Sequence, residues 1–139
     1  MTPPHLLLAD DHAETRKLLR SLLEPEFDVV ADVEDGLALV TAAAREVPDV
    51  IVTDISMPGL DGFAAATAIL HQNPAARIVF VTVHDEPVLV ERGLATGALG
   101  YVLKGAAGDE LVPAVHAALG GDHYISRALR SADDTAPKP

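Results

Sequence analysis

Two rhythms of apolar residues alternate along this chain. Five short runs, most of them rich in β-branched residues, lie at 5–9 (HLLLA), 27–33 (FDVVADV), 50–53 (VIVT), 78–83 (IVFVTV) and 101–103 (YVL). The third and fourth are almost unbroken Val/Ile runs, as expected of parallel strands covered on both faces. Between the runs, apolar residues return at helical spacing. Leu18, Leu19, Leu22 and Leu23 make one stripe, Phe63, Ala66, Ile69 and Leu70 a second, and Leu111, Val115 and Leu119 a third. Pro48 and Pro74 stand after helical segments and before strands, where a helix has to have stopped. Five strand–helix units in series predict an α/β fold, a doubly wound five-stranded parallel sheet with five helices.

Right-handed crossovers leave few topologies for such a sheet, and the order 2-1-3-4-5 is the expected one. From Ile125 the pattern fades into SRALRSADDTAPKP. The reading therefore sets one domain over 1–124 and a linker or tail over 125–139.

Composition narrows the function. A chain of 139 residues is the size of one ordinary domain. Ten basic against twenty-one acidic residues leave a formal net charge of −11, which offers no footprint for DNA or an anionic membrane. The absence of cysteine excludes disulfides and thiolate metal sites. No apolar run approaches the roughly 18 residues of a membrane helix. The first five residues lack the basic stretch and apolar core of a secretory signal, so a cytoplasmic protein is expected.

In open parallel sheets, ligands bind at the carboxyl ends of the strands. There the sequence places Asp10 and Asp11 after the first run, Asp54 after the third, Thr82 at the end of the fourth and Lys104 after the fifth. Singly, each has an ordinary explanation: an aspartate after a strand caps a helix, a strand threonine packs, and a terminal lysine is solvated. Their coincidence on one edge points elsewhere. Three clustered acids repel one another unless a cation intervenes. An all-oxygen set suits Mg²⁺ (or Mn²⁺), completed by waters and a substrate phosphate. A carboxylate can act as a nucleophile to form an aspartyl-phosphate, with cations over the transferred group.

The segments LLLADDH, VVADVEDG, DVIVTDISMPGLDGF, IVFVTV and GALGYVLK, in this order, resemble the receiver domain of bacterial two-component response regulators over residues 5–122. DISMPGLDG is the most specific of them. The resemblance implies a flavodoxin-like sheet and makes Asp54 the phosphoacceptor. It implies that Asp11, Asp54 and the Ser56 backbone carbonyl ligate Mg²⁺, with Asp10 acting through water. Thr82 and Lys104 would contact the phosphoryl group. Tyr101 matches the family's rotating aromatic, although by itself it reads equally well as a half-buried strand residue. Ser56 and His84 would flank the phosphoryl group and tune its hydrolysis. His12, Arg16 and GYVLK with no proline after it resemble the NarL-type subfamily.

The implied partner is a sensor histidine kinase, and the implied output is transcriptional, through a helix-turn-helix domain absent from this chain. A homodimer formed on phosphorylation fits the same picture. A stand-alone receiver, acting as a relay or adaptor, is the alternative. The only catalysis expected is that of its own phosphorylation and dephosphorylation. The chain departs from the family pattern before its last helix, where Ala107 and Gly108 replace the usual Ser or Thr; Asp109 is expected to cap instead, which puts Pro113 in the first turn. Gly93 in the fourth helix predicts a loosely held segment.

Other classes fit less well. A haloacid-dehalogenase-like phosphatase carries Asp-x-Asp after its first strand, whereas the acids here are adjacent. A flavin or nucleotide binder needs a Gly-rich loop for phosphate, whereas DDHAET is acidic. A receiver relic without phosphorylation would lack one of the Asp, Thr or Lys residues, and all are present.

Overall fold

The computed structural model describes residues 2–130. The strands are β1 (His5–Ala9), β2 (Asp28–Val33), β3 (Val50–Thr53), β4 (Ile78–Thr82), β5 (Gly100–Leu103) and β6 (Tyr124–Ile125). The helices are α1 (Ala13–Leu23), α2 (Gly36–Glu46), α3 (Gly62–Gln72), α4 (Pro87–Ala95) and α5 (Ala107–Leu119). All strand pairs are parallel, in the order β2-β1-β3-β4-β5-β6. The expected order holds for the first five strands. The sheet has six strands rather than five, because the short Tyr124–Ile125 segment adds to the free edge of β5.

Two-residue alternation explains the continuous apolar runs. Leu6, Leu8, Val50, Val52, Val79, Val81 and Val102 enter one core with Leu19, Leu23, Leu111 and Val115 from α1 and α5. Leu7, Ala9, Ile51, Ile78, Phe80 and Tyr101 enter the opposite core with Leu39, Phe63, Ala66 and Ile69 from α2 and α3. Every residue of β3 and β4 is thus buried on one side or the other. Leu18 departs from the expected stripe and is exposed, because Leu19 and Leu23 alone of that group face fully inward.

Capping follows the acids that are not at the strand ends. Asp35 and Asp61 accept the Ala38 and Ala64 N–H groups and start α2 and α3. Glycines follow both caps for lack of room. A Cβ on Gly36 would sit 1.9 Å from the Leu60 carbonyl oxygen, and one on Gly62 would sit 2.1 Å from that of Asp54. α5 differs from the expectation: it begins at Ala107 without a side-chain cap, so Asp109 lies in its first turn and Pro113 in its interior. Gly93 is buried against the Tyr101 and Phe63 rings, so α4 uses it for close packing. The chain packs on through Arg130, past the boundary expected at residue 124, and residues 131–139 of the expected linker lie outside the described residues.

Candidate phosphoacceptor site

Register brings the acids together. Ala9 pairs with Thr53 across β1 and β3, so Asp10 and Asp54 leave the sheet side by side. The Asp54 N–H donates to the Ala9 carbonyl at 3.0 Å, and the Asp10 N–H to that of Val33 at 3.0 Å. Thr82 pairs with Leu103, which sets Lys104 at the end of the neighbouring strand pair.

Neither Asp10, Asp11 nor Asp54 caps a helix; His12 holds the N-cap position of α1 and makes no side-chain cap bond. Asp54 is buried, and its Oδ1 accepts the Ile55 N–H at 2.7 Å and, more distantly, the Ser56 N–H at 3.4 Å. Its Oδ2 takes the Lys104 ammonium at 2.8 Å, and the same Nζ lies 2.8 Å from Asp10 Oδ2. One lysine therefore bridges two carboxylates. Burial alone would lower the Lys104 pKa, but hydrogen bonds and charge from Asp10 and Asp54 outweigh it and hold the pKa above its ordinary value.

Negative charge remains beyond what Lys104 covers. Asp10 Oδ2 has only the shared Lys104 ammonium at 2.8 Å, and buried Asp11 Oδ1 has no hydrogen-bond donor. His12 Nδ1 approaches Asp11 Oδ1 at 3.1 Å. Among the described residues, Asp10, Asp11 and His12 form the group whose ligand atoms lie within 4.8 Å of one another. Clustered carboxylate oxygens with too few donors fit a hard cation, and Asp10 and Asp11 could contribute ligands to it. Asp54, turned to Lys104, stands outside that group. His12, which in the sequence serves only as a mark of the NarL-type resemblance, thus stands against the acids it follows.

Thr82, His84 and Tyr101 form a second set. The Thr82 hydroxyl accepts the His84 N–H at 3.2 Å, and the Tyr101 hydroxyl donates to the His84 carbonyl at 2.8 Å. Tyr101 is fully buried, not half-buried, because its ring lies between Phe80 and Gly93. Burial first, then the charges of Glu86, Asp54 and Asp85, pushes its pKa up to about 12. Ser56 Oγ and His84 Nε2 pair at 2.9 Å across the mouth of the site. A groove of about 610 Å³ opens there, lined by Asp11, Ser56, Met57, His84, Leu89 and Arg92 among others. Val83 is exposed beyond the end of β4.

Residues 6–116 match the response regulator receiver domain family, and the chain belongs to it. Within that family it is a NarL-type receiver. It is 38% identical over 122 residues to the transcriptional regulatory protein DegU of Brevibacillus brevis, covering 86% of this chain and 52% of DegU. It is 32% identical over 126 residues to the transcriptional regulatory protein NarL of Mycobacterium tuberculosis, covering 89% of this chain and 58% of NarL. The solved receiver domain of that NarL superposes with a TM-score of 0.83 at 31% identity, over 87% of this chain and 99% of the other. The isolated receiver domain of RcsB from Salmonella enterica, solved in the presence of the phosphomimetic BeF₃⁻, gives a TM-score of 0.84 at 28% identity, over 92% and 96%. The chain thus spans little more than half the length of the curated relatives it matches. Among the described residues no helix is long and apolar enough to cross a membrane.

Proposed function

We propose that this domain accepts a phosphoryl group on Asp54 from a sensor histidine kinase, in a Mg²⁺-dependent reaction, and relays the event to a transcriptional output. One observation carries the reading: a buried aspartate at the end of the central strand shares one lysine with Asp10, beside an Asp11 oxygen that lacks a hydrogen-bond donor. An Asp54 carboxylate oxygen attacks the phosphorus, the donor's bond to phosphorus breaks, and an acyl phosphate remains on the chain. Lys104 moves with that oxygen and meets the charge on the transferred group. A bound Mg²⁺, held by Asp10 and Asp11 with Asp54 and the Ser56 carbonyl, would supply the second cation that phosphoryl transfer requires.

Thr82 supplies the trigger. Its hydroxyl accepts from His84, which leaves its own proton for a phosphoryl oxygen. A move of Thr82 toward that oxygen pulls on His84, whose carbonyl holds Tyr101, so the event reaches the β5 edge. Ser56 and His84, paired across the mouth, set how freely water reaches the acyl phosphate. The domain turns over no external substrate in this reading. The lengths and names of the DegU and NarL relatives support a DNA-binding output, and a phosphorylation-dependent homodimer is the form in which it would act.

The test is direct. Acetyl phosphate with Mg²⁺ should add one phosphoryl mass to the protein and none to Asp54→Asn. Full phosphorylation of Asp54→Asn would remove the assignment.

A further inference from the structure

Glu110 is a charged residue buried outside the acceptor cluster, 4% exposed in the first turn of α5. Its Oε1 accepts the Tyr124 hydroxyl at 2.8 Å and the Arg127 N–H at 2.9 Å, and its Oε2 accepts the Ser126 hydroxyl at 3.2 Å. Burial pushes its pKa up, but these hydrogen bonds hold it below its ordinary value, so Glu110 is an ionised acceptor at neutral pH. All three donors come from the segment that follows α5.

Ser126 faces both ways. The ladder between β5 and β6 pairs Gly100 with Tyr124 and Tyr101 with Ile125, and the Ser126 N–H then donates to the Tyr101 carbonyl at 2.9 Å. There the backbone ladder ends, one donor short. The Leu103 N–H is met by the Ser126 hydroxyl oxygen at 2.9 Å. Leu103 immediately precedes Lys104, and Glu110 lies six residues after it. The chain Leu103–Ser126–Glu110 therefore closes the turn that carries Lys104 by fastening both of its ends.

Within the turn the Ala107 N–H donates to the Lys104 carbonyl, and Ala107 enters the core. Gly105 and Gly108 have open space where a side chain would be, and α5 starts without a side-chain cap. We propose that Glu110 and Ser126 are positioning residues for Lys104, and that residues 124–130 are thereby a working part of the acceptor site. The proposal rests on the reading of Asp54 as acceptor. By reciprocity, the state of Asp54 and Lys104 is felt at Ser126, in the segment that follows α5, and a load on that segment is felt at Lys104.

A double-mutant cycle tests it. Acetyl phosphate rates on Asp54 are measured for the wild type, Ser126→Ala, Lys104→Ala and the double variant, each shown to be folded by circular dichroism. Ser126→Ala should slow the wild type about fivefold and the Lys104→Ala protein less than twofold, since residues acting through one group are not additive. Glu110→Gln should repeat the pattern. The same slowing with and without Lys104 would overturn the proposal. A second readout needs no phosphoryl donor: the Lys104 ammonium protons, held between Asp54 and Asp10, should give a slowed-exchange NMR signal that Ser126→Ala weakens. An unchanged signal overturns the proposal as well. A wild type that takes no phosphoryl group refutes the acceptor reading instead, and the ammonium signal still decides the role of Ser126.

Discussion

Lys104→Ala removes the single cation bridging two buried carboxylates. The Asp10 side chain is fully buried and that of Asp54 is 5% exposed, and both lie 2.8 Å from the ammonium. Breaking a buried pair by deleting one partner costs about 3–5 kcal/mol. The low end applies here, because Asp54 Oδ1 keeps the Ile55 N–H and Asp10 Oδ1 keeps the His12 N–H. About 3 kcal/mol corresponds to a melting point lowered by roughly 10 °C in a domain of this size. A missing lysine also makes the acids a stronger cation site. Mg²⁺ should bind the variant about tenfold more tightly, and at saturation should stabilise it by about 1.4 kcal/mol more than it stabilises the wild type. Thermal unfolding by circular dichroism in EDTA and in saturating MgCl₂, with calorimetric Mg²⁺ titration, reads both effects. A melting point within about 2 °C of wild type in EDTA, with no gain in Mg²⁺ affinity, would refute the view that Lys104 neutralises these acids.

Two further outcomes follow from the geometry. Gly62→Ala places a methyl group where the Asp54 carbonyl now sits, at 2.1 Å, so it should cost more than 3 kcal/mol or displace the acceptor loop; a denaturant midpoint close to wild type would contradict this. Tyr101 stays neutral to about pH 12, against 10.0 for a free phenol. Its raised pKa contributes stability that is complete below pH 10 and lost as pH rises through 12. Burial and the bond to Glu110 raise Tyr124 too, so ultraviolet titration should show both tyrosines ionising above a free phenol, with Tyr101→Phe removing the step near pH 12; a step near pH 12 that survives in Tyr101→Phe would place it on Tyr124.

Much of the fold was legible because covering a sheet on both faces leaves a local trace. Continuous apolar runs at 50–53 and 78–82 name buried parallel strands whatever surrounds them, and the acids directly after the runs fall at the carboxyl edge by chain order alone. Asp10, Asp54, Thr82 and Lys104 therefore reached the right rim before any tertiary contact was known. Local pattern stopped where a long-range partner decides. Strand β6 is two residues long and exists because β5 offered a free edge and Glu110 a buried acceptor, neither visible from the sequence HYISRAL. Likewise Leu18 and Leu19 are identical as letters, and only the packing of α1 on the sheet buries one and exposes the other. Gly93 read as a weak helix position until the Tyr101 and Phe63 rings appeared against it. Chain periodicity determines which residues lie on which face of an element; the close approaches between elements, at a few ångströms, determine which of those residues act together.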